Sequence, residues 1–439
     1  MAVDNLVKTQ VLKKIDEMKD EIVDTVSKAV RIQSVNPLYP GVESKTVLGG
    51  EKRCNEFLKP IMEGFGCKTD MFEKAPQRTN LVGTLKGTGG GRSLILNGHI
   101  DTVPLGRSED WKWNDPLSGK IEDGRIYGRG STDMKGGVVG MIKAVQAITK
   151  LGYHLKGDVM IESVVGEEVM SSGLGVEATV EKGYRADAAI VTEPSGPPIR
   201  LAVVPVTPGL WWMSVTVDGK PVHTSVRDEL IRAGGRGSEV GVNAVEKGVK
   251  ILQALLELEQ QWGIEKKHPL FSPGHFTIHP GVIQGGPFGV MVPFIVSEFC
   301  TIEYAVWHHP EESAESVKKE IEEYVKCVAQ LDPWLREHPP RFEWKLWWPP
   351  YNVDVNHPIC KTVANAHEAA TGKPAQFHGY PCVCDAAFLN KHGIPAIAYG
   401  PGDLITGHAI DEYVSIEELI TATKTYALAA LDWCGCTEE

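Results

Sequence analysis

Seven residues in this chain of 439 are of types that bind cations or move protons and fall where a fold can gather them: His99, Asp101, Asp133, Glu167, Glu168, Glu193 and His408. Imidazole nitrogen and carboxylate oxygen together suit borderline-soft divalent ions such as zinc. Two histidines and three carboxylates hold two such ions if one carboxylate bridges them. Glu167 and Glu168 are adjacent, so at a strand end their side chains diverge: one can ligate a cation while the other faces a water beside it. A cation lowers the pKa of such a water towards ~7, and a nearby carboxylate then takes its proton to leave a nucleophile. The chemistry implied is hydrolysis.

These residues need elements that end at one place, and the sequence supplies them. The apolar run 94–96 stops at Asn97-Gly98 and reads as a buried strand with His99 and Asp101 at its rim. A Gly-rich turn carrying Asp133 opens into a helical pattern over 138–148. Strands over 157–165 and 188–191 end at Gly166-Glu167-Glu168 and at Thr192-Glu193, and a strand over 394–399 ends at Gly400-Pro401-Gly402. Strands alternating with helices predict an α/β fold with a mostly parallel sheet covered by helices. Residues 7–32 read as one long surface helix, 51–65 and 356–371 as further helices, and 80–85 as a strand.

The texture changes at Pro208. Strands over 210–217 and 297–307 and amphipathic helices over 242–260 and 311–331 predict an inserted α+β domain. The expected organisation is 1–207 for the first part of a catalytic domain, 208–349 for the insertion and 350–439 for the second part.

Composition narrows the partners. Lys and Arg total 45 against 57 acids, a net charge of −12, which argues against nucleic acid or an anionic membrane as partner. No apolar run approaches the ~18 residues of a membrane span, and the N-terminus reads as an amphipathic helix instead of a signal peptide. Nine cysteines, an odd number widely spaced, point to reduced thiols and a cytoplasmic setting. The pairs Cys382/Cys384 and Cys434/Cys436 lack the C-x-x-C spacing of structural zinc sites and read as ordinary thiols.

Five motifs, together spanning most of the chain, carry a resemblance: G-H-I-D-T-V-P at 98–104, G-R-G-S-T-D-M-K-G-G at 128–137, G-E-E at 166–168, T-E-P-S at 192–195 and G-H-A-I-D-E-Y at 407–413. The chain resembles the zinc-dependent amidohydrolase and exopeptidase family that includes acetylornithine deacetylase, succinyl-diaminopimelate desuccinylase, aminoacylase and the glutamate-releasing carboxypeptidases. The resemblance implies that His99 and Glu193 complete one metal site, Glu168 and His408 the other, and that Asp133 bridges two divalent ions, with a cis peptide bond after it. The ions would be zinc, or the cobalt or manganese that such ligands also accept. Asp101 would hydrogen-bond the His99 ring and fix its tautomer, and Glu167 would be general base and then general acid. The insertion, with V-D-G-K-P-V-H-T-S at 217–225, resembles the family's lid and dimerisation domain. A homodimer is then expected, in which His223 reaches the partner's site to stabilise an oxyanion.

The expected reaction is cleavage of an amide C–N bond in a small molecule. Hydrolytic deamination of an aromatic amine, or dipeptidase or carboxypeptidase action, are the alternatives on the same site. The chain departs from the family where the lid grips a carboxylate: aligned on Pro293 and Pro310, Val290 stands where Asn is usual and Trp307 where Arg is usual. An indole cannot replace an Arg fork but offers a flat face for stacking. Unless Arg227, Arg232 or Arg236 supplies the charge, an aromatic or bulky apolar amide is the expected substrate.

Overall fold

The apolar runs that end in polar residues become neighbouring strands in the computed structural model, which describes residues 3–437. Two compact units are present: one runs to Thr207 and resumes at Tyr351, and the other is Pro208–Pro350.

The first unit is built on a nine-stranded sheet whose main path runs Lys68–Ala75, Arg78–Leu85, Val159–Val164, Leu94–His99, Ala188–Val191, Ala396–Ala398, Val203–Thr207 and Tyr351–Asn352. The strands from Val159–Val164 to Ala396–Ala398 are parallel neighbours, and antiparallel strands flank them on both sides. Asn97 is in register with both Glu162 and Val191, so the chain leaves all three strands at one edge, where open α/β sheets place their sites. These central strands are buried on both faces, which is why they read as unbroken apolar runs and not as alternating ones.

The helix Gly136–Lys150 is buried from Gly136 to Ile148. Its Val138, Val139, Met141, Ile142, Val145 and Ile148 side chains are each withdrawn from water, at ~1.5–3 kcal/mol apiece. Its first turn passes so close to the end of a strand that only glycine fits. A Cβ on Gly137 would lie 2.2 Å from the Thr192 carbonyl oxygen, and one on Gly98 would lie 2.7 Å from Thr192 Oγ1. These contacts bring the turn carrying Asp133 against the strand end carrying Glu193.

The second unit is a four-stranded antiparallel sheet in the order Thr277–Gly286, Phe299–His308, Gly209–Asp218, Arg341–Trp348. The helices Ala244–Glu265 and Ala314–Gln330 share one core with its inner face. Strand Phe299–His308 alternates strictly: Cys300, Ile302, Tyr304, Val306 and His308 are buried, whereas the residues between them, Trp307 included, are half-buried on the other face. Trp211 is core, edge-on to Trp344 and stacked on Trp347 at ring separations of 5.2 and 6.0 Å.

Two sequence expectations need correction. Residues 7–32 are not one helix but two, Asn5–Glu17 and Lys19–Val30, broken at Met18 with ψ near 2°. Val7, Val11 and Ile15 bury one stripe and Ile22, Val26 and Val30 another, and the irregular residue lets both reach the core. Four longer strands, Lys68–Ala75, Val203–Thr207, Thr277–Gly286 and Arg341–Trp348, and seven strands of two or three residues are not marked in the sequence; three of the four longer ones are half-exposed with weak apolar alternation. No disulfide forms among the described residues, and none of their helices is long and apolar enough to cross a membrane.

Candidate metal centre

His99 ends the strand Leu94–His99, Glu193 follows the strand Ala188–Val191 by two residues, and the main-chain bond from Thr192 N–H to Asn97 O ties the two exits together. Asp133 projects from a turn with non-helical backbone between Gly130 and the buried helix, and the Asp133–Met134 peptide is cis, as expected. Glu167 and Glu168 leave the Val159–Val164 strand through Gly166, and His408 comes from a loop with left-handed backbone, φ 60°.

These elements bring six of the predicted residues together. His99 Nε2 lies 3.0 Å from Asp133 Oδ1 and 3.5 Å from Glu193 Oε1. His408 Nε2 lies 3.2 Å from the other Asp133 oxygen and 2.9 Å from Glu168 Oε2. Two sets of donors result, His99/Asp133/Glu193 and Asp133/Glu168/His408, each with ligand atoms within 4.8 Å of one another. Asp133 belongs to both. The donor set fits two divalent cations: it is N and O only, one carboxylate offers an oxygen to each half, and Glu193 Oε1 is buried without a hydrogen-bond partner among the described residues. Glu167 stands outside both sets, half-buried, with Oε2 3.8 Å from His99 Nε2.

The structure redraws the role of Asp101. His99 Nδ1 faces the main-chain oxygen of Asp101 at 3.0 Å, while the Asp101 carboxylate stands off at 3.6 Å. A carbonyl can only accept, so Nδ1 carries the proton and Nε2 is left for the cation. The carboxylate is taken by other donors: Asn36 Nδ2 at 2.7 Å and the N–H groups of Gly166 and Glu168 at 2.8 and 3.2 Å. Asp101 therefore fixes the tautomer through its backbone and holds the Glu167–Glu168 loop through its side chain.

The carboxylates around them favour the protonated forms of both histidines. Burial disfavours a charge on His408, but hydrogen bonds to Asp133 and Glu168 outweigh it and push its pKa up to about 11. The same contest raises His99, where the carboxylates of Asp101 and Asp133 together prevail over burial. Burial and the neighbouring Asp133 push Glu168 up to about 7. Burial raises Glu167 too, with the Glu193 charge adding to it and His99 opposing it. Cation binding must displace these protons, so affinity rises with pH.

Sequence reasoning passed over three supporting residues. Asn36 anchors Asp101 but read only as part of an Asn-Pro turn. Arg129 and Glu412 sit inside the quoted motifs, opposite in charge and each four residues from a proposed ligand, which was the available signal. They form a buried ion pair of 2.6 Å. His223, in the second unit, is exposed, and its Nδ1 engages Ser225.

A further buried acid lies behind the centre. Glu162, in register with Asn97, is fully buried, and burial pushes its carboxyl up to about 7, with the Asn97 amide at 2.9 Å opposing the shift and Asp385 adding to it. An ordinary glutamate titrates near 4.5. Between those values the folded state holds a proton that the unfolded chain has lost, so stability falls as pH rises through that window. Glu162→Gln should remove this contribution, up to about 3 kcal/mol at 1.36 per unit. Urea unfolding of chelated protein at pH 5 and pH 8 measures it, and an unchanged difference between the two pH values would acquit Glu162.

Comparison with known proteins agrees with this geometry. The profile of Peptidase family M20/M25/M40 matches residues 95–432. The chain is 34% identical over 438 residues, 97% of each chain, to the N-formyl-4-amino-5-aminomethyl-2-methylpyrimidine deformylase of Halalkalibacterium halodurans. It is 29% identical over 381 residues, 85% of this chain and 89% of the other, to the acetylornithine deacetylase of Myxococcus xanthus. Among solved structures the dipeptidase Dug1p of Saccharomyces cerevisiae shares the fold, with a TM-score of 0.71 at 14% identity over 97% of this chain and 98% of that one. Matched over most of its length, and carrying one aspartate shared by two triads that could each hold a cation, the chain belongs to Peptidase family M20/M25/M40 and is a metal-dependent hydrolase of amide C–N bonds in small molecules.

Proposed function

We propose that this enzyme removes a small acyl group, formyl above all, from the amino group of a compact aromatic amine. The observation that carries the hydrolytic part is the position of Glu167: 3.8 Å from His99, adjacent in the chain to Glu168, and a member of neither triad, as a proton carrier must be. When bound, the two cations, zinc before cobalt or manganese, polarise the carbonyl and lower the pKa of the attacking water. Glu167 takes the proton from that water and returns it to the leaving nitrogen. The balance is R–NH–CHO + H2O giving R–NH3+ and formate. The aromatic part rests on the full-length similarity to a protein named as a pyrimidine deformylase and on Trp307 standing where an Arg fork would grip a carboxylate.

The test compares kcat/KM for an N-formyl aminomethylpyrimidine, an N-formyl benzylamine, N-acetylornithine and N-succinyl-diaminopimelate, with formate and ammonia both assayed. Formate release from the aromatic compounds, ~10 to 10²-fold faster than turnover of the two amino acids, is expected, as a lost charge-assisted contact is worth ~1.5–3 kcal/mol. Ammonia as product would favour a deaminase, and efficient turnover of N-acetylornithine would defeat the substrate assignment.

The reading includes a homodimer through residues 208–350, in which His223 serves the partner's site. Support comes from the edge strand Thr277–Gly286 and the connection after it, which expose Val282, Ile283, Phe288, Val290, Met291 and Phe294. Ile283→Asp with Met291→Asp should yield a monomer by sedimentation, with turnover down ~10² to 10³-fold as for a lost oxyanion donor. A fully active monomer would exclude the scheme.

A further inference from the structure

The two halves of the centre are held by different means. In the His99/Glu193 half, both ligands leave adjacent strands whose spacing is set by the ladder pairing Asn97 with Val191. In the other half, Glu168 leaves a strand but His408 hangs on a loop, with its side chain half exposed and its backbone left-handed. The ladder pairing Tyr413–Ser415 with Arg125–Tyr127, extended by the bond from Gly128 N–H to the Glu412 carbonyl, ties the two segments together but stops four residues short of His408.

A buried ion pair spans the gap instead. Arg129 Nη1 donates to Glu412 Oε2 at 2.6 Å, both side chains being at least 97% buried. Glu412 Oε1 accepts the main-chain N–H groups of Thr132 and Asp133 at 3.0 and 3.2 Å. Arg129 Nη2 donates to the His408 carbonyl at 3.1 Å, and Nε to that of Pro104 at 3.3 Å. One guanidinium and one carboxylate thus grip the backbone of the bridging ligand and the backbone of the loop ligand at once. A planar fork with several fixed donors can do this, and a point charge cannot.

We propose that the Arg129–Glu412 pair is the positioning device of the Glu168/His408 half: it fixes the reach from Asp133 to His408 and so determines how tightly the second cation is held, leaving the first to the sheet. The proposal rests on the two-cation reading above. Its residues touch no reacting atom and act only through ligand backbones.

Arg129→Lys tests it. Lysine retains the charge beside Glu412 but cannot also reach the His408 and Pro104 carbonyls. Zinc and cobalt titrations against a chromophoric chelator, with cobalt absorption as the signature of each site, should show one ion bound ~10 to 100-fold more weakly, the range for lost supporting contacts, and the other unchanged. His408→Ala should weaken the same ion, and adding Arg129→Lys to it should weaken that ion no further. Equal weakening of both ions, or wild-type affinity for both, overturns the proposal. If Arg129→Lys does not fold, Glu412→Gln gives the same reading, since its amide oxygen still accepts the Thr132 and Asp133 N–H groups while the ion pair is gone. A wild-type protein that binds fewer than two ions would refute the two-cation reading itself, a distinct result.

Discussion

Asp133→Ala leaves the protein without either cation at concentrations that saturate the wild type, and turnover falls by ~10³ to 10⁴-fold or more. The expectation follows from geometry: one Asp133 oxygen lies 3.0 Å from His99 and the other 3.2 Å from His408, so a single side chain serves both triads. Each triad would drop to two protein donors, below the three that catalytic sites retain. Cation polarisation is worth several kcal/mol at the transition state, and each 1.36 kcal/mol is a factor of ten. Metal analysis after dialysis against dilute chelator gives the readout. Retention of one ion at wild-type affinity would show that Asp133 serves a single site.

Glu167→Gln separates chemistry from binding. The side chain keeps its volume and loses only the ability to shuttle a proton, so both cations should remain while kcat falls ~10² to 10⁴-fold. In the chelated protein the change also removes a half-buried carboxyl crowded by Glu193, Asp385 and Glu168, so unfolding should not become easier. Loss of either ion would make Glu167 a ligand and move the proton carrier elsewhere.

The chemistry was legible in the chain wherever an apolar run stopped at a polar residue. Leu94-Ile95-Leu96 before His99, and Ala188 to Val191 before Glu193, are buried on both faces, and such strands leave their mark as continuous apolar sequence. Edge strands such as Lys68–Ala75 leave no such mark, because one half-exposed face accepts almost any residue. The break at Met18 carries neither Gly nor Pro; it comes from packing, which propensity does not encode. The H-x-D spacing located the acceptor for His99 correctly but not the atom. That choice depended on Asn36 and the Gly166–Glu168 loop claiming the carboxylate, a contact set made across 65 and more positions. Arg129 and Glu412 are 283 positions apart, so their pairing is a product of the fold alone.

The insertion of Pro208–Pro350 also has a seam. Thr207 and Tyr351, the residues on either side of it, are register partners in one antiparallel ladder, so the chain departs and returns through neighbouring positions of the same sheet. Neighbouring antiparallel ends are what a two-residue hairpin joins. The first unit can therefore be respliced as a continuous polypeptide, and its own ladder already specifies the join. Every proposed cation ligand lies outside the excised part. Conversely, the second unit is a cassette with adjacent termini, a geometry that tolerates permutation and grafting into other sheets.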